Sequence, residues 1–134
     1  MIHLNETKFD LAISHRLAMD IFYRSLCNAY GTGYSNYWIG DIQYDTDNYI
    51  ECRNELIDPA LEDVLVKIIK NGYTLRIIDS EDDTQSTDIT LDSIYENAKT
   101  LPIDIVVAFI QEQDDAETGD TALQHLAFGQ HIYS

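Results

Sequence analysis

Asp58-Pro59-Ala60-Leu61-Glu62-Asp63-Val64-Leu65-Val66-Lys67-Ile68-Ile69-Lys70-Asn71-Gly72 runs directly into Tyr73-Thr74-Leu75-Arg76-Ile77-Ile78, and this pair of segments decides the fold. Asp58 offers an N-cap and Pro59 a first helical position. Glu62 and Asp63 sit near the positive end of the helix dipole, Lys67 and Lys70 near the negative end, and Gly72 stops the helix. Leu61, Val64, Leu65, Ile68 and Ile69 recur at helical spacing and form the expected buried face. The run from Tyr73 to Ile78 is rich in β-branched and aromatic residues and reads as a strand. A weaker strand signal, Ser86 to Ile89, follows the charged loop Asp79-Ser80-Glu81-Asp82-Asp83. The two strands are therefore expected to form an antiparallel hairpin.

Working outward toward the N-terminus, Tyr37 to Tyr44 is aromatic and reads as a strand. Asp45-Thr46-Asp47-Asn48 has turn chemistry, and Tyr49 to Cys52 reads as the return strand. Before them, Phe9 to Ile13 suggests a first strand and Ser14 a helix N-cap. Leu17, Ala18, Ile21, Tyr23, Leu26, Cys27 and Tyr30 approximate a helical stripe that Gly31 and Gly33 end. Toward the C-terminus, Thr90 can cap a helix from Leu91 to about Lys99. Pro102 to Gln113 has strand propensity, yet its proline suits a first helical turn, and a helix is the favoured reading. Asp114 to Gly119 reads as a solvated loop, and Asp120 or Thr121 as the start of a last helix through about Phe128. The sum is an α+β fold in one globular domain over 1–134: a small, mostly antiparallel sheet packed by three to four helices.

Composition constrains function by sign. Twenty-four Asp and Glu stand against eight Lys and Arg, a net charge of -16. From Asp79 to Asp120 acids outnumber bases thirteen to one, the lone base being Lys99. Nucleic-acid affinity comes largely from cations that neutralise phosphates, so direct binding to DNA, RNA or an anionic membrane is not expected. The nine Tyr, four Phe and one Trp argue for a packed core over an acidic tail. The longest apolar run, Ile105 to Ile110, is too short to span a bilayer. The opening residues lack the pattern of a secretory leader, and Cys27 and Cys52 make no disulfide framework, so the cytosol is the expected compartment.

Candidate chemistry is sparse. The acids of 79–83 and 114–120 offer oxygen ligands, but neither run matches a twelve-residue calcium loop, and no metal site is expected. His3, His15, His125 and His131 are scattered, without a zinc spacing. Gly31-Thr32-Gly33 ends a helix where a phosphate loop would open one. Nothing assembles a nucleophile, a base and an orienting group, so neither an enzyme nor a cofactor is expected. Two features invite a partner. One is the acidic set Asp79, Glu81, Asp82, Asp83, Asp88, Asp114, Asp115 and Glu117, which serves solubility if no partner exists. The other is the aromatic pair Tyr37 and Trp38, which serves packing unless it lies on the surface.

The stretches Asn36-Tyr37-Trp38, Asn71-Gly72-Tyr73-Thr74-Leu75-Arg76-Ile77-Ile78-Asp79-Ser80-Glu81-Asp82 and Thr121-Ala122-Leu123-Gln124-His125-Leu126-Ala127-Phe128-Gly129-Gln130-His131-Ile132-Tyr133-Ser134 resemble, in that order, a group of small acidic proteins of bacterial phages and mobile elements. The resemblance implies a viral or mobile-element setting and assigns no catalytic residue. By analogy of size and charge it implies an inhibitor of host defence, of anti-CRISPR or anti-restriction type, that offers carboxylates in place of phosphates to a basic protein or nucleoprotein complex. The alternatives are a protein–protein module with an apolar or aromatic surface, and a sponge for a small signalling nucleotide. For the latter, Arg24, Arg53 and Arg76 are the basic residues that could accompany the aromatic group Tyr30, Tyr34, Tyr37, Trp38, Tyr44 and Tyr49.

Overall fold

The computed structural model describes residues 13–133. Among them are six α-helices and an open three-stranded antiparallel sheet, packed together as a mixed α+β domain. In chain order these are α1 (His15–Ser25), β1 (Ile39–Gln43), α2 (Thr46–Asn54), α3 (Leu61–Lys70), β2 (Leu75–Asp79), β3 (Ser86–Ile89), α4 (Leu91–Ala98), α5 (Ile103–Ile110) and α6 (Ala116–Phe128). A π turn over Leu26–Tyr30 extends α1, and a 3₁₀ turn over Tyr34–Tyr37 leads into β1. The strand expected over Phe9 to Ile13 lies outside the described residues but for Ile13, which is not in a strand.

The β2–β3 hairpin forms where the sequence places it, with Leu75 opposite Ile89 and Ile77 opposite Thr87. β1 pairs with the other edge of β2, with Ile42 opposite Ile77. Alternation then turns Ile42, Leu75, Ile77 and Ile89 inward. Gly40 sits at a register shift in β1. A Cβ there would come within 3.0 Å of the Ser80 backbone and 3.1 Å of the Asp79 carbonyl, so a side chain would push β1 off the hairpin. α6 is the central helix and packs on α1, α4 and the π turn. Its buried residues include Ala122, Leu123, Leu126 and Ala127, and also two polar ones, Asp120 and Gln124.

Several expectations are corrected. The segment Tyr49 to Cys52 is helical: it lies in α2, whose N-cap Asp45 accepts the Asp47 and Asn48 N–H groups. Tyr37 and Trp38 precede β1 and do not belong to a strand. α3 begins at Leu61 after Ala60, and Asp63 accepts the Ala60 N–H at 2.9 Å. Asp58 instead holds a left-handed turn with φ 47°. Leu61 is 40% exposed, and Val66 takes its expected place in the core. The residues read as a solvated loop after Asp114 open α6, with Asp115 as N-cap bonded to Thr118. The expected helices at Ser14, Thr90 and Pro102 are present, α1 and α4 with side-chain caps from Ser14 and Thr90. The α+β fold with a small antiparallel sheet is present as expected, with six described helices where three to four were expected, α2 standing where a strand was read.

Candidate functional site

The acidic loop between β2 and β3 is built by its own carboxylates. Asp79 Oδ1 accepts the N–H groups of Glu81 at 2.8 Å and Asp82 at 3.0 Å, and Asp82 Oδ1 accepts the N–H and hydroxyl of Thr84. Ser80 ties the loop back to the turn that precedes β1, donating its N–H to the Trp38 carbonyl and its hydroxyl to the Tyr37 carbonyl. Asx chemistry of this kind fixes the backbone without a partner strand. Asp79 and Asp82 thus shape the turn. Glu81 and Asp83 project exposed carboxylates that no cation meets among the described residues.

The other oxygen of Asp79 leads inward. Tyr133 donates its hydroxyl to Asp79 Oδ2 at 2.7 Å. That bond and the turn N–H groups hold the Asp79 carboxyl below its ordinary range, and the same contact pushes the Tyr133 hydroxyl up. Tyr133 stacks on Trp38 with centroids 5.5 Å apart and planes 12° from parallel, and Phe128 leans on both rings. Gln124 on α6 clamps the closing segment: its Oε1 accepts the Ile132 and Tyr133 N–H groups, and its amide donates to the Tyr133 carbonyl. One turn earlier, Asp120 is 3% exposed. It accepts from Ser35 Oγ at 2.6 Å, Trp38 Nε1 at 2.7 Å, the Tyr37 hydroxyl at 2.5 Å and Gln124 Nε2 at 3.2 Å. Burial and the Asp120 contact raise the Tyr37 hydroxyl well above its usual value.

Six residues from the quoted stretches, Tyr37, Trp38, Asp79, Gln124, Phe128 and Tyr133, lie in this one cluster. Trp38 is 1% exposed and offers no contact surface. Tyr37 is 40% exposed, but its hydroxyl is committed to Asp120. Asp120, Gln124, Ser35 and Tyr133 were not foreseen as a unit. The one available signal was the i, i+4 spacing of Asp120 and Gln124 beside the apolar Ala122, Leu123, Leu126 and Ala127.

The remaining acids divide. Asp114 is half-buried, with 9% of its side chain exposed, and is ion-paired with Arg24 while accepting from Asn28 at 2.6 Å. Asn28 reaches it from the π turn, a kind of helix distortion often found where a side chain must be re-aimed. Arg24 also donates to the Phe109 carbonyl and lies over the Phe109 ring. Asp88 pairs with Arg76 across the hairpin at 2.9 Å. Asp115 caps α6, its carboxyl held low by the Thr118 N–H. Glu117, in the first turn of α6, is exposed and unpaired among the described residues. Arg24 and Arg76, both weighed as nucleotide-binding cations, are thus taken by internal carboxylates.

Among the described residues no three His, Cys, Asp or Glu side chains gather in a metal-binding group. No helix among them is long and apolar enough to cross a membrane. No protein-family model matches the chain, and no curated protein or solved structure is similar to it.

Proposed function

We propose that the protein is a phage or mobile-element inhibitor of a host nucleic-acid-handling defence complex, of anti-CRISPR or anti-restriction type, acting in the host cytoplasm as an acidic mimic of nucleic acid. The observation that carries this reading is the pair Glu81 and Asp83: charged, exposed and unpaired among the described residues, on a turn locked by Asp79 and Asp82. B-DNA presents a charge about every 1.7 Å of its axis, so a mimic gains from carboxylates on a backbone that needs no ordering on contact. Glu117 is a further exposed and unpaired carboxylate among the described residues, whereas Asp88 is paired with Arg76 and Asp115 caps α6. Asp114 contributes its charge to Arg24 and shapes the surface from beneath.

A second reading, a module that binds through apolar surface, is favoured by α5. Ile103, Val107 and Ile110 recur on one side of that helix and are exposed. One experiment separates the two. The chain is immobilised and a bacterial host extract is passed over it with and without excess duplex DNA. A mimic retains a nucleic-acid-binding complex that duplex DNA and 0.5 M salt both release, and E81Q/D83N/E117Q retains less than about a tenth as much, because charge-steered contacts weaken steeply with salt. Retention that survives salt, DNA and the triple substitution but falls with Val107→Asp rejects mimicry and selects the α5 surface.

A further inference from the structure

A groove of about 730 Å³ opens between α1, α3 and α4, and it shares no residue with the acidic loop. Its floor is apolar, from Met19, Val66 and Leu91. One wall is the His15 imidazole stacked on Tyr95, centroids 3.6 Å apart and planes 5° from parallel. Ile57 forms the lip, 98% exposed, presented by a loop in which Asp58 holds its left-handed turn. Ile57 continues the apolar lining of the groove from its floor to its edge.

Charge sets the ligand. Arg16, Lys67 and Lys70 line the groove, three of the eight cations in the chain. Acids outnumber bases three to one, and Arg24, Arg76 and Lys99 have each found a carboxylate. Arg16 and Lys70 have none among the described residues, and Lys67 has only the half-exposed Glu55 at 3.3 Å. Of the two acids in the lining, Asp20 is ion-paired with Arg24, and Asp63 accepts the Ala60 N–H but keeps its charge. His15 and Arg16 also stand in the first turn of α1, where the helix dipole favours an anion. At physiological salt the Debye length is about 8 Å, so the distant carboxylates are screened and the cations at the rim dominate.

We propose that this groove binds a small molecule made of a flat ring that carries an anionic group, of nucleoside monophosphate size. The volume lies within the usual range for such sites, the floor takes the ring, and Arg16 and Lys70 take the anion. This inference is independent of the inhibitor reading, because it uses none of the acidic residues on which mimicry depends.

The test is calorimetric titration of the full chain with AMP, GMP, CMP and UMP, beside adenosine as a ring without charge and ribose 5-phosphate as charge without a base. At least one monophosphate is expected to bind tenfold or more tighter than both controls. R16E and K70E should each weaken it tenfold or more while the unliganded melting temperature stays put, since both side chains are exposed. If charge reversal disturbs folding, R16Q and K70Q replace it with the same expected direction. None of the four exceeding ribose 5-phosphate, or equal binding by the folded variants, overturns the proposal.

Discussion

Asp120 shows how one buried charge organises a site. Four donors surround its two carboxyl oxygens, and it makes no ion pair among the described residues. Trp38, the only tryptophan in the chain, is thereby anchored at its indole N–H and sandwiched against Tyr133. Asp79 extends the arrangement to the surface through the Tyr133 hydroxyl, and here pH becomes a probe. The Asp79 carboxyl is held below its ordinary 3.8, and the Tyr133 hydroxyl above its ordinary 10.0. A lowered acid contributes stability that is full above 3.8 and is lost as pH falls through the folded value. A raised phenol contributes stability that is full below 10.0 and is lost as pH rises through the folded value. Tyr133→Phe should therefore melt below the unaltered chain between about pH 5 and 9, with the gap narrowing at both extremes. Melting curves followed by Trp38 fluorescence across this range check it, and two parallel profiles would remove the Asp79–Tyr133 bond from the account. The sequence showed the acids and the Tyr-Trp pair, but it could not show that Asp79 and Trp38 belong to the same interior. That connection runs through Gln124 and Tyr133, far along the chain, and nothing local marks it.

Elements were legible where capping, proline and periodicity agreed, and obscure where one chemistry serves two structures. Thr90 before α4 accepts the Ser93 N–H on its hydroxyl oxygen, the cap that the sequence announces, and its own N–H donates to the Ser93 hydroxyl oxygen in return. Pro102 opened α5 against the β-propensity of its residues, because its φ suits the helix start and Ile105 and Val106 donate to its carbonyl. Asp45 misled, since an Asp that accepts N–H groups two and three residues on is equally a turn former and an N-cap. α2 then buries only Cys52 fully, so its sequence shows no strong helical stripe to settle the matter. Asp115 is the same ambiguity at α6, where an acidic run looked like loop. Its two roles can be separated. Asp115→Asn keeps a good cap and removes the charge, so stability should stay within about 0.5 kcal/mol. Asp115→Ala removes the cap and should cost about 1 kcal/mol in urea unfolding. Equal losses in both would mean that the charge on the helix dipole, and not the hydrogen bond to Thr118, holds this end of α6.

At the scale of the molecule, the charge of -16 is arranged in two ways. Some carboxylates are structural: Asp114 on Arg24, Asp120 in its cluster of donors, Asp79 and Asp82 within their turn. Others, Glu81, Asp83, Asp92, Asp104, Glu112 and Glu117, stand exposed and make no ion pair among the described residues. The exposed group repels itself most when the chain is compact, because unfolding moves the charges apart. Four cations, in five ion pairs among the described residues, cannot offset it, and the pairs lie mostly at the surface, where each adds little. Added salt screens the repulsion and the surface pairs together. With so large an excess of acid the repulsive part dominates, so sodium chloride should raise the melting temperature from 20 to 300 mM. A relief of about 1 kcal/mol corresponds to about 4 °C for a domain of this size. E81Q/D83N/E117Q, which carries three fewer negative charges, should start higher and gain less from salt. A melting temperature that falls with salt in both chains would mean that the few ion pairs outweigh the repulsion. The exposed acids would then lose the feature that recommends them to a cationic partner: a field left unneutralised by the protein itself, and released only when another surface meets it.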